Sequence, residues 1–248
     1  GQPANEAGPV QLVEGSRSEP VPEDVSVRIE YPRPNALSPD SLAEADIEVE
    51  GLQLRDPTPK EDRRGIAVSE RGQHVHFVVD NAPYVAVYDE SEAIDLSGLE
   101  TGAHVLRAFA ARSWHESVKT EDAFAIRKFY VNDTVPEVEW KRDTPLLTYS
   151  RPKGLYRGSD ADSVMVDFFV TNAELGSDAH AVRLTVDDSL VYTLEEWKPY
   201  YLLGLDSGEH TVKLDLLGPD GTVVPGPFST TERVITVVRD TVSEGPMQ

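Results

Sequence analysis

The chain has 248 residues, 39% of them hydrophobic and 8% aromatic, which suits one large domain or two ordinary ones with their own cores. Its 44 acidic and 23 basic residues leave a formal charge of −21, which argues against nucleic acid and anionic lipid surfaces as partners. The absence of cysteine excludes disulfides, thiolate metal sites and cysteine nucleophiles, and no apolar run reaches the roughly 18 residues of a membrane-spanning helix.

Residues 1–24 are rich in Gly, Pro, Glu and Ser, with Val10, Leu12 and Val13 as a weak apolar cluster. Such a segment cannot offset its own ordering entropy, so it is expected to be a flexible or partner-bound tail. The opening GQPANEAGP has no methionine and reads as the product of export processing. That points to the periplasm or cell surface, with a lipid anchor at the processed end as one version.

From Val25 the pattern has period two. VSVRIEY and DIEVEGLQL alternate apolar and polar residues as half-buried strands do, and HVHFVVD, YVAVY, HVLRAFAA and FAIRKFYV continue the series. Turn chemistry separates them at NAP, SGLETG and KTED. No stretch sustains a helical period, and regularly spaced short strands predict an all-β sandwich.

The second half repeats the first. VVDN (78–81) returns as TVDD (185–188), GLETGAH (98–104) as GLDSGEH (204–210), and YVNDT (130–134) as VVRDT (237–241), each about 107 residues later. A repeat of that length is domain-sized. The expectation is two tandem immunoglobulin- or fibronectin-like β-sandwiches, over 25–133 and 134–240, with tails at 1–24 and 241–248. The first carries an inserted loop at 55–72, and the short joint near Asp133–Pro136 predicts domains set end to end with little swing.

His104 and His210 occupy matching places after the repeated GL-x-x-G turn. Many sandwiches hold a tyrosine at this corner, tied back to a nearby loop, so both histidines are read as scaffold. His74 and His76 differ, because the second half has no His-x-His. With Asp80 they project from the strand face opposite Phe77 and Val79, at the rim of the inserted loop. Two imidazoles so spaced lie about 7 Å apart along a strand and could chelate one metal, with His115, Glu116 or Asp80 as third ligand; the competing readings are a hydrogen-bonded structural role and contact with a ligand.

ARSWHESVK (111–119) is dense in functional groups. Arg112 and Lys119 could clamp an anion. Ser113, His115 and Glu116 have the residue types of a nucleophile, base and orienter, but they are nearly consecutive and lack a Gly-x-Ser-x-Gly elbow. Trp140 and Trp197 are expected in the second core or the domain interface.

GQHVHFVVDNAPY with ARSWHESVK, then LLTYSRPKGLY and VPGPFSTTERVITV, resembles a group of exported two-domain bacterial proteins with immunoglobulin-like repeats, of Bacteroidetes-like origin. Some members carry a phosphopeptide-binding label. That label would imply a forkhead-associated sandwich reading phosphothreonine through loop Arg, Ser and His. Here the order Arg112-Ser113-Trp114-His115 departs from that family's Ser-Arg-x-His, and its accompanying Gly-Arg and Asn are missing. The resulting reading is a non-enzymatic exported binding or structural protein without a cofactor, an accessory subunit bound to protein partners in a membrane-associated complex. The alternative is a small-ligand or metal-binding module built on His74, His76, Asp80, Arg112, Ser113, His115, Glu116 and Lys119.

Overall fold

A computed structural model of the chain describes residues 9–18, 24–59 and 65–239. The rest of the N-terminal tail, residues 60–64 of the inserted loop and the C-terminal tail lie outside the described residues. The fold is all-β, and the strands follow the predicted alternation. In the first half they are β1 (Gln11–Glu14), β2 (Ser26–Tyr31), β3 (Leu37–Ser38), β4 (Glu44–Glu50), β5 (His74–Val79), β6 (Val85–Val87), β7 (Ile94–Asp95), β8 (Gly102–Ala111) and β9 (Phe124–Val131). The second half has β10 (Leu146–Arg151), β11 (Gly154–Arg157), β12 (Val164–Thr171), β13 (Ala181–Val186), β14 (Leu190–Leu194), β15 (Tyr200–Leu203), β16 (Gly208–Leu217) and β17 (Thr230–Val238). Among the described residues no helix is long and apolar enough to cross a membrane.

Each half makes a two-sheet sandwich with the same connectivity. The first stacks β2-β4-β7 on β3-β9-β8-β5-β6, and the second stacks β10-β12-β15 on β11-β17-β16-β13-β14. These are tandem immunoglobulin/fibronectin-like sandwiches, with β3 and β11 each running parallel to the last strand of its half. The first core gathers Val27, Ile29, Ile47, Val75, Phe77, Leu106 and Phe129. The second gathers Phe168, Leu184, Leu202, Leu214 and Ile235. Fully burying one such side chain contributes roughly 1.5–3 kcal/mol, so each half has a core of its own.

Two features differ from the expected layout. The N-terminal segment is sewn into the second sandwich: β1 pairs antiparallel with β15 and extends its sheet. Constant-type immunoglobulin sheets carry a fourth strand at that edge; here residues from the far end of the chain fill it, and Val10 and Leu12 pack on the second core. The domains, moreover, are not set end to end. The outer face of β5 and β8 lies against β10, β12 and their neighbours. Val78, Tyr84 and Phe109 cluster with Phe169 and Trp197, and Val105 clusters with Leu146, Phe228 and Trp140. The cause is on the strands themselves, since β5 and β8 carry bulky side chains on both faces and both faces are buried. Arginines complete the seam. Arg107, 1% exposed, donates to Leu147 O at 3.2 Å and Thr148 Oγ1 at 3.1 Å, and Arg233 donates to Ala82 O at 3.0 Å. Burial lowers Arg107 to about 9.

Candidate functional site

Strand β5 is led in by Gly72, whose φ of +82° and close neighbours (a Cβ would lie 2.6 Å from Asp56 O) reserve the position for glycine. The turn points the Gly72 carbonyl at the following strand, where it accepts a hydrogen bond from His74 Nδ1 at 2.9 Å. A carbonyl cannot donate, so Nδ1 carries the proton and the neutral ring presents a bare Nε2 lone pair. His76 Nε2 lies 3.0 Å from that lone pair and His115 Nδ1 also lies 3.0 Å from it. His115 reaches it from a tight turn after β8, closed by His115 N donating to Arg112 O at 2.8 Å. Its φ of +68° is a sparsely populated conformation for a non-glycine residue, of the kind held in place by surrounding structure at functional sites.

The surroundings fix the other rings. His76 Nδ1 is hydrogen-bonded to Ser150 Oγ of the second sandwich at 3.0 Å. The Tyr84 ring stacks on His76 with centroids 3.5 Å apart, and its hydroxyl is 3.3 Å from His115 Nδ1. His74 and His76 have no exposed surface, so the pair sits in the seam and not at an exposed rim. Burial disfavours the charged form of all three: His74 is lowered to about 4, and His76 and His115 are pushed well down, with Arg151 and Lys153 adding to the effect. All three are neutral imidazoles at neutral pH, with ligand atoms within 4.8 Å of one another. Neutral convergent imidazoles are the donor set of zinc, copper, nickel and cobalt ions.

Two cations stand near this set. Lys153 Nζ lies 4.0 Å and Arg151 Cζ 5.4 Å from the centre of the Tyr84 ring, whose other face is covered by His76. A dication roughly 7 Å from one such charge would feel about 5 kcal/mol of repulsion at an effective dielectric of 20. Structural zinc sites bind with about 10–16 kcal/mol; the two charges together, at about 10 kcal/mol, would offset the lower end of that range, and burial lowers Lys153 to about 8, so its proton is the one that can leave as the ion enters.

The other predicted residues go elsewhere. The Asp80 carboxylate accepts from His104 Nδ1 at 2.8 Å and from the Val105 amide at 2.9 Å, so it belongs to the scaffold corner and not to the His74–His76 set. Ser113 Oγ accepts from the Thr58 amide at 2.8 Å, tying the inserted loop down. Glu116 accepts from Trp114 Nε1 at 2.7 Å and from the Ser18 amide at 2.9 Å, and Arg112 donates to Ser18 O at 3.3 Å. Lys119 forms a fully buried ion pair with Asp167 of the second sandwich. Ser113, His115 and Glu116 therefore face three different neighbours, while Arg112, Glu116 and Lys119 spend their groups on the N-terminal segment and the seam. Reasoning from the sequence missed Ser150 and Tyr84. Ser150 carries no signal because it lies a domain away, whereas the aromatic at Tyr84, just ahead of the strand hairpinned to β5, was a usable one.

The scaffold corner is duplicated. His104 bonds Asp80 and Glu100 O, and His210 bonds Asp187 at 2.7 Å and Asp206 O at 3.0 Å. Each ring nitrogen faces an acceptor, so each must carry a proton. His104 is raised by its Asp80 hydrogen bond. For His210, burial works against the charge and is outweighed by Asp187 and the Asp206 carbonyl, which raise it.

No protein-family model and no curated protein matches the chain. Among solved structures it is similar to the fibronectin(III)-like modules of Clostridium thermocellum CbhA, at 15% identity over 90% of this chain and 99% of that one, with a TM-score of 0.31. The central fibronectin-III array of RIM-binding protein gives 13% identity over 94% and 75%, with a TM-score of 0.29. Bacteroides ovatus SGBP-B, solved with a mixed-linkage heptasaccharide, gives 13% over 86% and 47%, with a TM-score of 0.24. At such scores the assignment of two immunoglobulin/fibronectin-like sandwiches rests on the strand order of the chain itself.

Proposed function

We propose that the chain is a non-catalytic exported binding or structural protein, an accessory subunit of a membrane-associated envelope assembly, in the periplasm or at the cell surface. The observation that carries this reading is the face-to-face docking of the sandwiches. It makes one rigid brace of two domains and consumes the polar loop after β8, where a catalytic set would otherwise stand. An active site needs nucleophile and base within reach of one substrate position, and Ser113 and His115 point to different neighbours.

The surface offered to a protein partner is the outer face of β11-β17-β16-β13-β14. Both large outer faces at the seam are covered, and that of the three-stranded sheet is laced with exposed ion pairs around Arg28. The remaining face carries Leu155, Val191 and Val234, 49%, 58% and 56% exposed. Leu155 and Val234, on neighbouring strands, form a small apolar patch that fits a protein contact, with Val191 at the far edge of the same face beyond Thr185 and Lys213. Affinity purification of the full chain from native membranes should bring a partner with it. The Val191→Lys/Val234→Lys variant should lose that partner at unchanged melting temperature. A chain that behaves as a free monomer in native envelope extracts would overturn the reading.

A further inference from the structure

Around His74 Nε2 the hydrogen-bonding arithmetic does not close. Its single lone pair can take one N–H donor well, yet two ring nitrogens stand 3.0 Å away. If His76 donates, the His115 contact sets two nitrogens together with no proton directed between them, and the reverse holds if His115 donates. Charging one ring would supply a second proton, but burial opposes it, and among the described residues no carboxylate bonds any of the three rings. One positive centre accepting all three lone pairs satisfies every ring at once.

We propose that His74, His76 and His115 hold a divalent transition-metal ion of the imidazole-preferring class, zinc foremost, as a structural staple at the seam between the sandwiches. Ligand spacing supports this. Nitrogens 2.0–2.1 Å from one zinc ion stand roughly 3–3.4 Å apart; two of the three separations are 3.0 Å, and the third, between His76 and His115 and within 4.8 Å, has to settle into the same range as the ion enters. The outer hydrogen bonds of the rings support it too, since metal-binding imidazoles characteristically bond a backbone carbonyl or polar group through the other nitrogen. His74 does so to Gly72 O, and His76 bonds Ser150 Oγ across the domain boundary. The Tyr84 hydroxyl at 3.3 Å from His115 Nδ1 is the remaining donor at the cluster. Burial of His74 and His76 suits a structural ion and not one that meets substrate. The staple ties β5, the loop after β8 and, through Ser150, the second sandwich, so it would lock the seam from its centre.

The test uses the full chain freed of metal by a chelator, with zinc or cobalt offered both to the folded protein and during refolding, because the site is enclosed. Expected are one ion per chain by elemental analysis, a raised melting temperature, and for cobalt the visible absorption of a four-coordinate site with three nitrogen ligands. His74→Gln and His115→Gln should each weaken binding at least 100-fold, and Ser150→Ala about 10–100-fold, the usual loss when the group orienting a metal-binding imidazole is removed. His104→Gln, outside the cluster, should bind as wild type and so serves as a folded control. A wild-type chain that keeps its β circular dichroism and takes up less than 0.1 ion by either route would overturn the proposal. Uptake unchanged in a His74→Gln/His115→Gln double variant would do the same, and Ser150→Ala binding equal to wild type would remove the cross-domain coupling.

Discussion

Two sets of histidines in this chain are held in opposite charge states by the same fold. His104 and His210 sit at equivalent corners, with both ring nitrogens facing acceptors, and are raised. His74, His76 and His115 face each other in the seam and are lowered. The register makes the contrast sharper. His76 stands opposite Phe109 in the first sandwich, and at the equivalent place in the second Arg183 stands opposite Asp215. One lattice position thus carries a buried aromatic pair where the sheet is covered and a partly exposed ion pair, Nη2 to Oδ2 at 2.6 Å, where it is open. What both copies share serves the architecture, and what only the covered face has belongs to the seam.

The largest effect separating the two faces should come from their acids. Asp167, with no exposed surface, pairs with buried Lys119 across the seam and also accepts from the Ser117 amide at 3.1 Å. Asp167→Ala leaves an ammonium buried without its partner, which costs about 3–5 kcal/mol. Asp215→Ala on the open face frees Arg183 to reach water and should cost about 1–2 kcal/mol. Urea unfolding of the full chain measures both. Equal costs would mean that the seam is not part of the cooperative unit.

The next effect is the response to pH, measured with a chelator present. His74 takes a proton near 6.5 when unfolded but only near 4 in the fold. Between those values the unfolded chain holds more protons, so stability rises with pH and this contribution is complete above 6.5. On acidification to pH 4 His74 alone removes about 3 kcal/mol. His104 runs the other way: raised in the fold, it contributes fully below 6.5 and loses that contribution as pH climbs through its folded value. His74→Gln should flatten the acid limb of the urea-midpoint profile, and His104→Gln the alkaline limb. Changes on the same limb would refute the division of charge states.

Much of this was legible in the sequence, for physical reasons that also set the limits. VVDN with GLETGAH, answered by TVDD with GLDSGEH, located the corner histidines and both strand sets because a turn that must place Asp and His together tolerates little else. Reading Asp80 with the metal candidates overlooked that its counterpart Asp187 sits in the same repeat. The covered sheet face also had a signal. HVHFVV and HVLRAFAA lack the clean alternation of a half-solvated strand, and continuous bulk predicts burial on both faces. The end-to-end expectation came from the short joint alone. Nothing local could have announced that Gln11–Glu14 pairs with Tyr200–Leu203, since strand addition across nearly the whole chain depends on an open edge that only the fold creates. The contact from Ser150 to His76 was hidden for the same reason.

The smallest effect concerns the shared corners. The side chains of His104 and His210 are 10% and 11% exposed, so an equal loss of two charge-assisted hydrogen bonds should be felt alike in the two sandwiches. His104→Gln and His210→Gln each keep one bond at most and should each cost about 1–2 kcal/mol. The two corners share no partner, so the double variant should equal the sum within about 0.5 kcal/mol. A larger coupling would mean that the corners communicate through the seam. In that case the duplicated element would act together with the unduplicated one, and the division between scaffold histidines and seam histidines would fail at its simplest point.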